Sequence, residues 1–195
     1  MATRVMLIGD SIRMFTETRI REKLGAAYEV WSPEGNCKYT ANTFNSLRTY
    51  LTACPAPDVI HWNNGLWDTA IYYDDGNMTP LPVYVEYLGR ILKQLKKTGA
   101  KIIFATTTPT HPKKELPRGE YKSRHFNTDI DRYNEAAVAL MCAEGVTVND
   151  LNAALRDNIE AYVRDDDLIH PNEMGIEKIS DLVAAKIKEV VEGIR

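Results

Sequence analysis

Short apolar runs alternate along this chain with longer segments in which apolar residues recur every three or four positions. The run RVMLIG at 4–9 is rich in strand formers and stops at Gly9. YEVWS at 28–32, DVIHWN at 58–63, AKIIFATTT at 100–108 and VTVND at 146–150 have the same character and read as strands. Helical spacing fills the gaps. FTETRIREKLG at 15–25 ends at Gly25, and TANTFNSLRTYLTA at 40–53 is stopped by Pro55 and Pro57. In 82–99, Val85, Leu88, Ile91, Leu92 and Leu95 form one stripe that Lys96, Lys97 and Gly99 finish. A helix over 127–145 opens on an Asn or Thr cap and closes at Gly145. LNAALRDNIEAYV reads as helical, and 172–194 as a closing amphipathic helix.

Strands separated by helices imply βαβ crossovers and a parallel sheet covered on both faces. The pattern therefore predicts a three-layer α/β/α fold on a five-stranded parallel sheet. Fold habit, rather than periodicity, supplies the flavodoxin-like strand order 2-1-3-4-5. No internal repeat or low-complexity tract interrupts the alternation. Two long unpatterned stretches, 64–81 and 108–127, are expected to be functional loops.

Composition narrows the classes. The 195 residues suffice for one sizeable core, and we expect one domain over 1–195. A net charge of −3 counts against a nucleic-acid partner, which would need a clustered basic surface. No apolar run approaches bilayer length, so no membrane partner is expected. The first strand begins almost at Met1 with no leader pattern before it, which predicts a cytoplasmic protein. A leader already removed would leave the same sequence. Cys37, Cys54 and Cys142 are odd in number and widely spaced. They predict reduced thiols, with neither a disulfide framework nor a metal site. The acidic run Asp165-Asp166-Asp167 lacks calcium-ligand spacing, and no cofactor is implied.

In open α/β sheets, sites form at the C-terminal ends of the strands. Strand one ends at Gly9-Asp10-Ser11, strand three at Asn63-Asn64-Gly65 and strand four at Thr106-Thr107-Thr108. Ser11 is the natural nucleophile candidate, and a serine hydroxyl needs an adjacent base to take its proton. Of the four histidines, His61 lies inside a strand and reads as a core residue, while His111 and His125 fall in a long polar loop, solvated or facing substrate. His170 differs: it precedes Pro171 and a helix, with Asp167 three residues upstream, where a turn lets the carboxylate reach the ring Nδ1. Gly-Asp-Ser alone is a common strand-ending turn, and Asp167 alone could cap the next helix. The two motifs together, at the first strand end and before the last helix, favour chemistry.

Those motifs, Gly9-Asp10-Ser11-Ile12 and Asp167-Leu168-Ile169-His170-Pro171 followed by Gly175, resemble the SGNH (GDSL-like) hydrolases. Length and strand layout extend the likeness over nearly the whole chain. The resemblance implies a Ser-His-Asp triad without metal, hydrolysing esters or thioesters. Ser11 would attack the acyl carbon, His170 would act as general base and then acid, and Asp167 would orient it.

The middle motifs depart from the family pattern. Lys38, in GNCKYT at 35–40, stands where the family has a glycine whose N–H binds the oxyanion. In HWNNGLWD at 61–68 the family's G-x-N-D falls on Gly65-Leu66-Trp67-Asp68 by strand length, with Trp67 replacing asparagine. Aligned by amide chemistry, Asn63 or Asn64 is the side-chain donor. The N-x-G-x-W pattern is similar to the PC-esterase and plant wall-acetylation branch. The oxyanion set is thus Ser11, Lys38, Asn63 and Asn64. Arg13 serves either a salt bridge or an anionic or polyhydroxyl substrate.

Trp67, Tyr72, Tyr73 and Tyr121 stand among polar loop residues, a composition that suits sugar faces better than long acyl chains. Trp31 and Trp62 lie nearby along the chain, at or in strands, and several of these aromatics, Trp62 above all, could instead be core. The expected activity is a serine esterase removing short acyl groups, above all acetyl, from a carbohydrate, with Trp67, Tyr72 and Arg13 at the substrate. The rivals are a lysophospholipase or thioesterase, an acyltransferase on the same triad, and a non-catalytic carbohydrate-binding module.

Overall fold

The computed structural model describes residues 2–115 and 123–193. Tyr121 lies outside the described residues. The strands are β1 (Thr3–Ile8), β2 (Tyr28–Trp31), β3 (Val59–Trp62), β4 (Lys101–Ala105) and β5 (Thr147–Asn149). They form one parallel sheet in the order β2-β1-β3-β4-β5, as expected. The helices are α1 (Ser11–Leu24), α2 (Thr40–Ala53), α3 (Leu81–Lys96), α4 (Asn127–Ala143), α5 (Leu151–Arg156), α6 (Ile159–Tyr162) and α7 (Glu173–Glu192).

Strand alternation sorts the core into two layers. Val5, Leu7, Val59, Ile103 and Ala105 face α1, α5 and α7, where they meet Ile12, Ile20, Leu155, Val183 and Ile187. Met6, Ile8, Ile60, Trp62 and Phe104 face the other way, onto Leu47 of α2, Leu88 and Ile91 of α3 and Ala137 of α4. Trp31, by contrast, is only partly buried, against that second layer.

Two helices differ from their sequence pattern. α1 begins at Ser11 rather than at 15, because Asp10 caps it: its Oδ1 accepts the Ile12 N–H at 2.9 Å. The helix expected over LNAALRDNIEAYV divides in two, since Asn158 leaves helical geometry at φ −149°. α6 then delivers Val163 to an antiparallel bridge with Pro171, which closes the base of the loop between them.

The loops after the strands are tied down. Gly65, at φ +149°, passes so close to Thr107 that an added Cβ would lie 2.1 Å from its Oγ1. Asp68 is fully buried and accepts the Thr40 N–H and Oγ–H, which caps α2 from a distance. The stretches 64–81 and 108–127 meet in a bridge between Ile71 and Arg124.

Burial shifts His61, His125 and Asp68 in opposing ways. Burial pushes His61 down from 6.5 to about 4, and burial with the Lys114 charge pushes His125 to about 3. Burial raises Asp68 to about 6, against hydrogen bonds from Thr40 that lower it. Between pH 6.5 and 4 the unfolded chain binds protons that both folded histidines refuse, so their contribution, full above pH 6.5, is lost as pH falls. Asp68 has the opposite sign: its folded carboxyl takes a proton near pH 6 that the unfolded chain takes only near 3.8. We therefore predict a urea midpoint that falls from pH 7 to pH 4. His61→Asn will make that fall shallower, by up to about 3 kcal/mol, and Asp68→Asn will make it steeper. Identical slopes in all three proteins would refute these assignments.

Candidate active site

The site lies where the C-terminal end of β1 becomes the N-terminus of α1. Gly9 is needed there because a Cβ on it would sit 2.8 Å from the Arg13 Cβ, which crosses over it. Ser11 is the first residue of the helix and half-buried, so its N–H belongs to the helix's unpaired first turn.

His170 reaches Ser11 from the loop closed by Val163 and Pro171. Arg164 N–H donates to the His170 carbonyl at 2.9 Å, and Asn172 N–H to the Tyr162 carbonyl at 2.9 Å. Leu168 takes a left-handed φ of 66°, and that turn folds the Asp167 carboxylate back over the loop. Its Oδ1 accepts the N–H groups of Ile169 and His170, both at 2.9 Å. Its Oδ2 accepts the His170 Nδ1–H at 2.8 Å. A carboxylate only accepts, so Nδ1 carries the proton and Nε2 is left as the acceptor. Nε2 lies 2.8 Å from the Ser11 Oγ, whose hydroxyl donates to it. The partial burial of Asp167 raises its pKa, but the two backbone N–H groups and His170 outweigh that and hold it below the ordinary carboxylate value. The ring of Phe15, one turn along α1, packs 4.7 Å from the imidazole.

Ser11 and His170 open on a pocket of about 60 Å³, lined also by Asn36, Leu66, Trp67, Ala70, Tyr72, Ser123, His125 and Ile169. Trp67 and Tyr72 thus line the same pocket as Ser11. His125 and His111 are both buried rather than solvated, at 3% and 2% exposure. His125 faces the pocket and its burial keeps the ring neutral, while His111 sits against the His170 loop, its N–H donating to the Leu168 carbonyl at 3.0 Å.

Four expected roles need correction or redirection. Arg13 is no substrate ligand: it is buried, and its guanidinium donates to Glu17 at 2.5 Å and to the Gly35 carbonyl at 2.6 Å. Asn64 is fully buried, its Nδ2 hydrogens committed to the Lys38 carbonyl at 3.0 Å and the Thr43 Oγ1 at 2.9 Å. Asn63 donates to the Ala105 carbonyl at 2.9 Å and lines a second cavity, of about 30 Å³, beneath α1. The Lys38 N–H is already donated to the Asn36 Oδ1 at 2.7 Å. Lys38 does adopt φ 55°, the left-handed conformation that explains a glycine at this position in the resembled pattern.

Among the polar lining residues, Asn36 and Ser123 are not marked by the sequence, while His125, read as solvated or facing substrate, faces the pocket. The rule that places sites at strand ends would have reached Asn36, just beyond β2. Nothing local announces that Ser123 folds inward.

Residues 16–178 match the model of the GDSL-like Lipase/Acylhydrolase family. The match begins just beyond Ser11 and runs past His170. Among solved structures, a lipase/acylhydrolase from Enterococcus faecalis superposes with a TM-score of 0.79 at 17% identity, covering 96% of each chain. The acetyl xylan esterase AlAXEase gives 0.76 at 18% identity over 94% of this chain and 99% of that one. Axe2, an acetylxylan esterase from Geobacillus stearothermophilus, gives 0.76 at 16% identity over 95% and 94%. These likenesses show a shared fold. No curated sequence matches the chain.

The left-handed backbone at exposed Lys38 costs about 1 kcal/mol for a side-chain-bearing residue. Lys38→Gly is therefore expected to raise stability by up to that amount in urea denaturation, and the β-branched Lys38→Val to lower it. A loss of stability in Lys38→Gly would contradict the backbone geometry.

Proposed function

The chain belongs to the GDSL-like lipase/acylhydrolase family and is an SGNH-type ester hydrolase, and from that premise we propose that it removes short acyl groups, chiefly acetyl, from hydroxyls of a carbohydrate, with Ser11 as nucleophile. The observation that carries this reading is the unbroken relay of two 2.8 Å hydrogen bonds from Ser11 through His170 to Asp167.

The mechanism follows from the proton positions. As the Ser11 Oγ attacks the ester carbon, its proton passes to the His170 Nε2, and the carbonyl π pair moves onto oxygen. Asp167, held ionised by its hydrogen bonds, stabilises the imidazolium that forms. The tetrahedral species collapses as His170 returns the proton to the departing alcohol, leaving acyl-Ser11. Water then attacks, activated by the same imidazole, and releases the acid and free Ser11.

The pocket supports the short-acyl preference. A long acyl chain needs an apolar tunnel, and the wall beside Ser11 instead interleaves Asn36, Ser123 and His125 with Leu66, Trp67 and Tyr72. The mixed lining supports a sugar as the alcohol: Trp67 and Tyr72 offer flat faces, while Asn36, Ser123 and neutral His125 offer hydrogen bonds. Two of the structures similar to this chain are named as acetyl xylan esterases, which agrees with the same substrate class.

A chain-length series of p-nitrophenyl esters tests the reading. Acetate is expected to be cleaved far faster than octanoate, and Ser11→Ala and His170→Ala to lower kcat by about 10⁴-fold or more. Preference for octanoate would end the deacetylase reading, and wild-type turnover in both variants would end the assignment of Ser11 and His170.

A further inference from the structure

An acyl-transfer site needs donors aimed at the oxygen that becomes negative, and the donors suggested by the sequence are largely spent. Asn64 has given both amide hydrogens to buried acceptors, the Lys38 N–H is taken, and the Asn63 amide is turned to β4. Asn63 keeps one uncommitted amide hydrogen but lines the cavity beneath α1 and not the pocket of Ser11 and His170, so the Ser11 N–H alone would leave the oxyanion with one partner.

Asn36 is placed to supply the second. The residues on either side of it are fastened to the two sides of the nucleophile. The Gly35 carbonyl accepts from Arg13, two residues after Ser11, at 2.6 Å. The Cys37 N–H donates to the carbonyl of Gly9, two residues before Ser11, at 3.3 Å. The Cys37 carbonyl in turn accepts from Asn42 at 2.9 Å and Thr43 at 3.1 Å. Asn36 therefore straddles Ser11 on a pinned loop, and its side chain lines the same small pocket.

The orientation of its amide follows from chemistry. The Lys38 N–H can only donate, so the atom it meets at 2.7 Å is the Asn36 oxygen. The Nδ2 group is then turned away from that turn, and it has no hydrogen-bond partner among the described residues.

We propose that the Asn36 Nδ2–H group, together with the Ser11 N–H, binds the oxyanion during acyl transfer to Ser11. As the Ser11 Oγ–carbon bond forms and the π pair moves onto the carbonyl oxygen, Nδ2–H donates to that charge. When the pair returns and the carbon–oxygen bond to the alcohol breaks, the hydrogen bond relaxes. Lys38 is then a positioning residue: its N–H holds Asn36 with the correct atom forward. In this chain an amide side chain after β2 does the work that the resembled pattern divides between a glycine N–H and a later asparagine.

The inference rests on the esterase reading, and the experiment separates the two. Asn36→Asp keeps the oxygen that Lys38 needs and removes the donor. With p-nitrophenyl acetate it should lower kcat by about 10²–10³-fold, with KM little changed. Affinity for a phenylboronic acid, which forms a tetrahedral adduct on the serine, should fall in parallel with kcat/KM. A purely structural role would lower the melting temperature without that parallel. A crystal structure of the wild-type boronate adduct should place Asn36 Nδ2 about 2.7–3.1 Å from a boronate oxygen, a readout independent of how any variant folds. Separation beyond hydrogen-bond distance, or near-wild-type kcat in a folded Asn36→Asp protein, would overturn the inference. If Ser11→Ala, run alongside, keeps activity, the esterase reading itself fails. If Ser11→Ala is inactive and Asn36→Asp is not, only the role of Asn36 fails.

Discussion

The packing of α1 against α7 is the constraint on which the site depends. Ser11 and His170 are 159 positions apart in the chain, yet their side chains meet at 2.8 Å. They meet because Ile12, Ile20 and Leu24 of α1 share one buried layer with Ile179, Val183, Ile187 and Val191 of α7. The Ser180 hydroxyl reaches the Thr16 carbonyl at 3.3 Å, and Lys23 pairs with Glu177 and Asp181 across the outer edge. The apolar layer supplies most of the energy, and the exposed ion pairs little. Ser11, the proposed nucleophile, at the head of α1 and His170, the proposed base, just before α7 thus sit beside two helices whose separation the core has already set.

Local hydrogen bonding finishes what packing begins. Asp10 ends β1 and starts α1 with one side chain, which leaves the Ser11 backbone at a helix N-terminus, where negative charge is favoured. Asp167 accepts three hydrogen bonds from its own loop and so fixes both its ionisation and the His170 tautomer. Arg13, buried between Glu17 and Gly35, ties the nucleophile helix to the loop after β2. These are short-range devices, each legible once its neighbours are known.

That distinction explains what could be read from the chain. Strand and helix periodicity predicted the parallel sheet, because burial on two faces leaves a strong linear pattern, whereas the strand order came from fold habit. The Gly9-Asp10-Ser11 and Asp167–His170 stretches stood out because each holds its function within a few residues. Asn36 and Ser123 did not, since their places in the pocket depend on contacts between distant segments. Which of Asn63, Asn64 and Asn36 keeps amide hydrogens free at the pocket is decided by the Ala105 and Lys38 carbonyls, which accept, and by the Lys38 N–H, which donates, and no spacing reveals these partners. His111 and His125 read as polar loop residues and are buried, because the loop folds back onto the His170 segment.

The Ile71–Arg124 bridge has a consequence for which parts of the pocket are independent of one another. Tyr72, on one side of the pocket, and Ser123 and His125, on the other, adjoin residues paired by reciprocal N–H to carbonyl bonds of 3.0 and 2.9 Å. The first of these loops is closed at its base, where the Met78 N–H meets the Ala70 carbonyl at 2.7 Å and the Thr79 N–H meets the Asp68 carbonyl at 3.1 Å. Residues 71–77 therefore form a module that hangs from its own base, while the reacting groups hang from α1 and α7. Lengthening or exchanging that module would reshape what the pocket accepts without reaching the helices that set the chemistry. Tyr72 is thus carried on a different part of the chain from Ser11 and His170, and a change in its loop leaves the packing of α1 on α7 untouched.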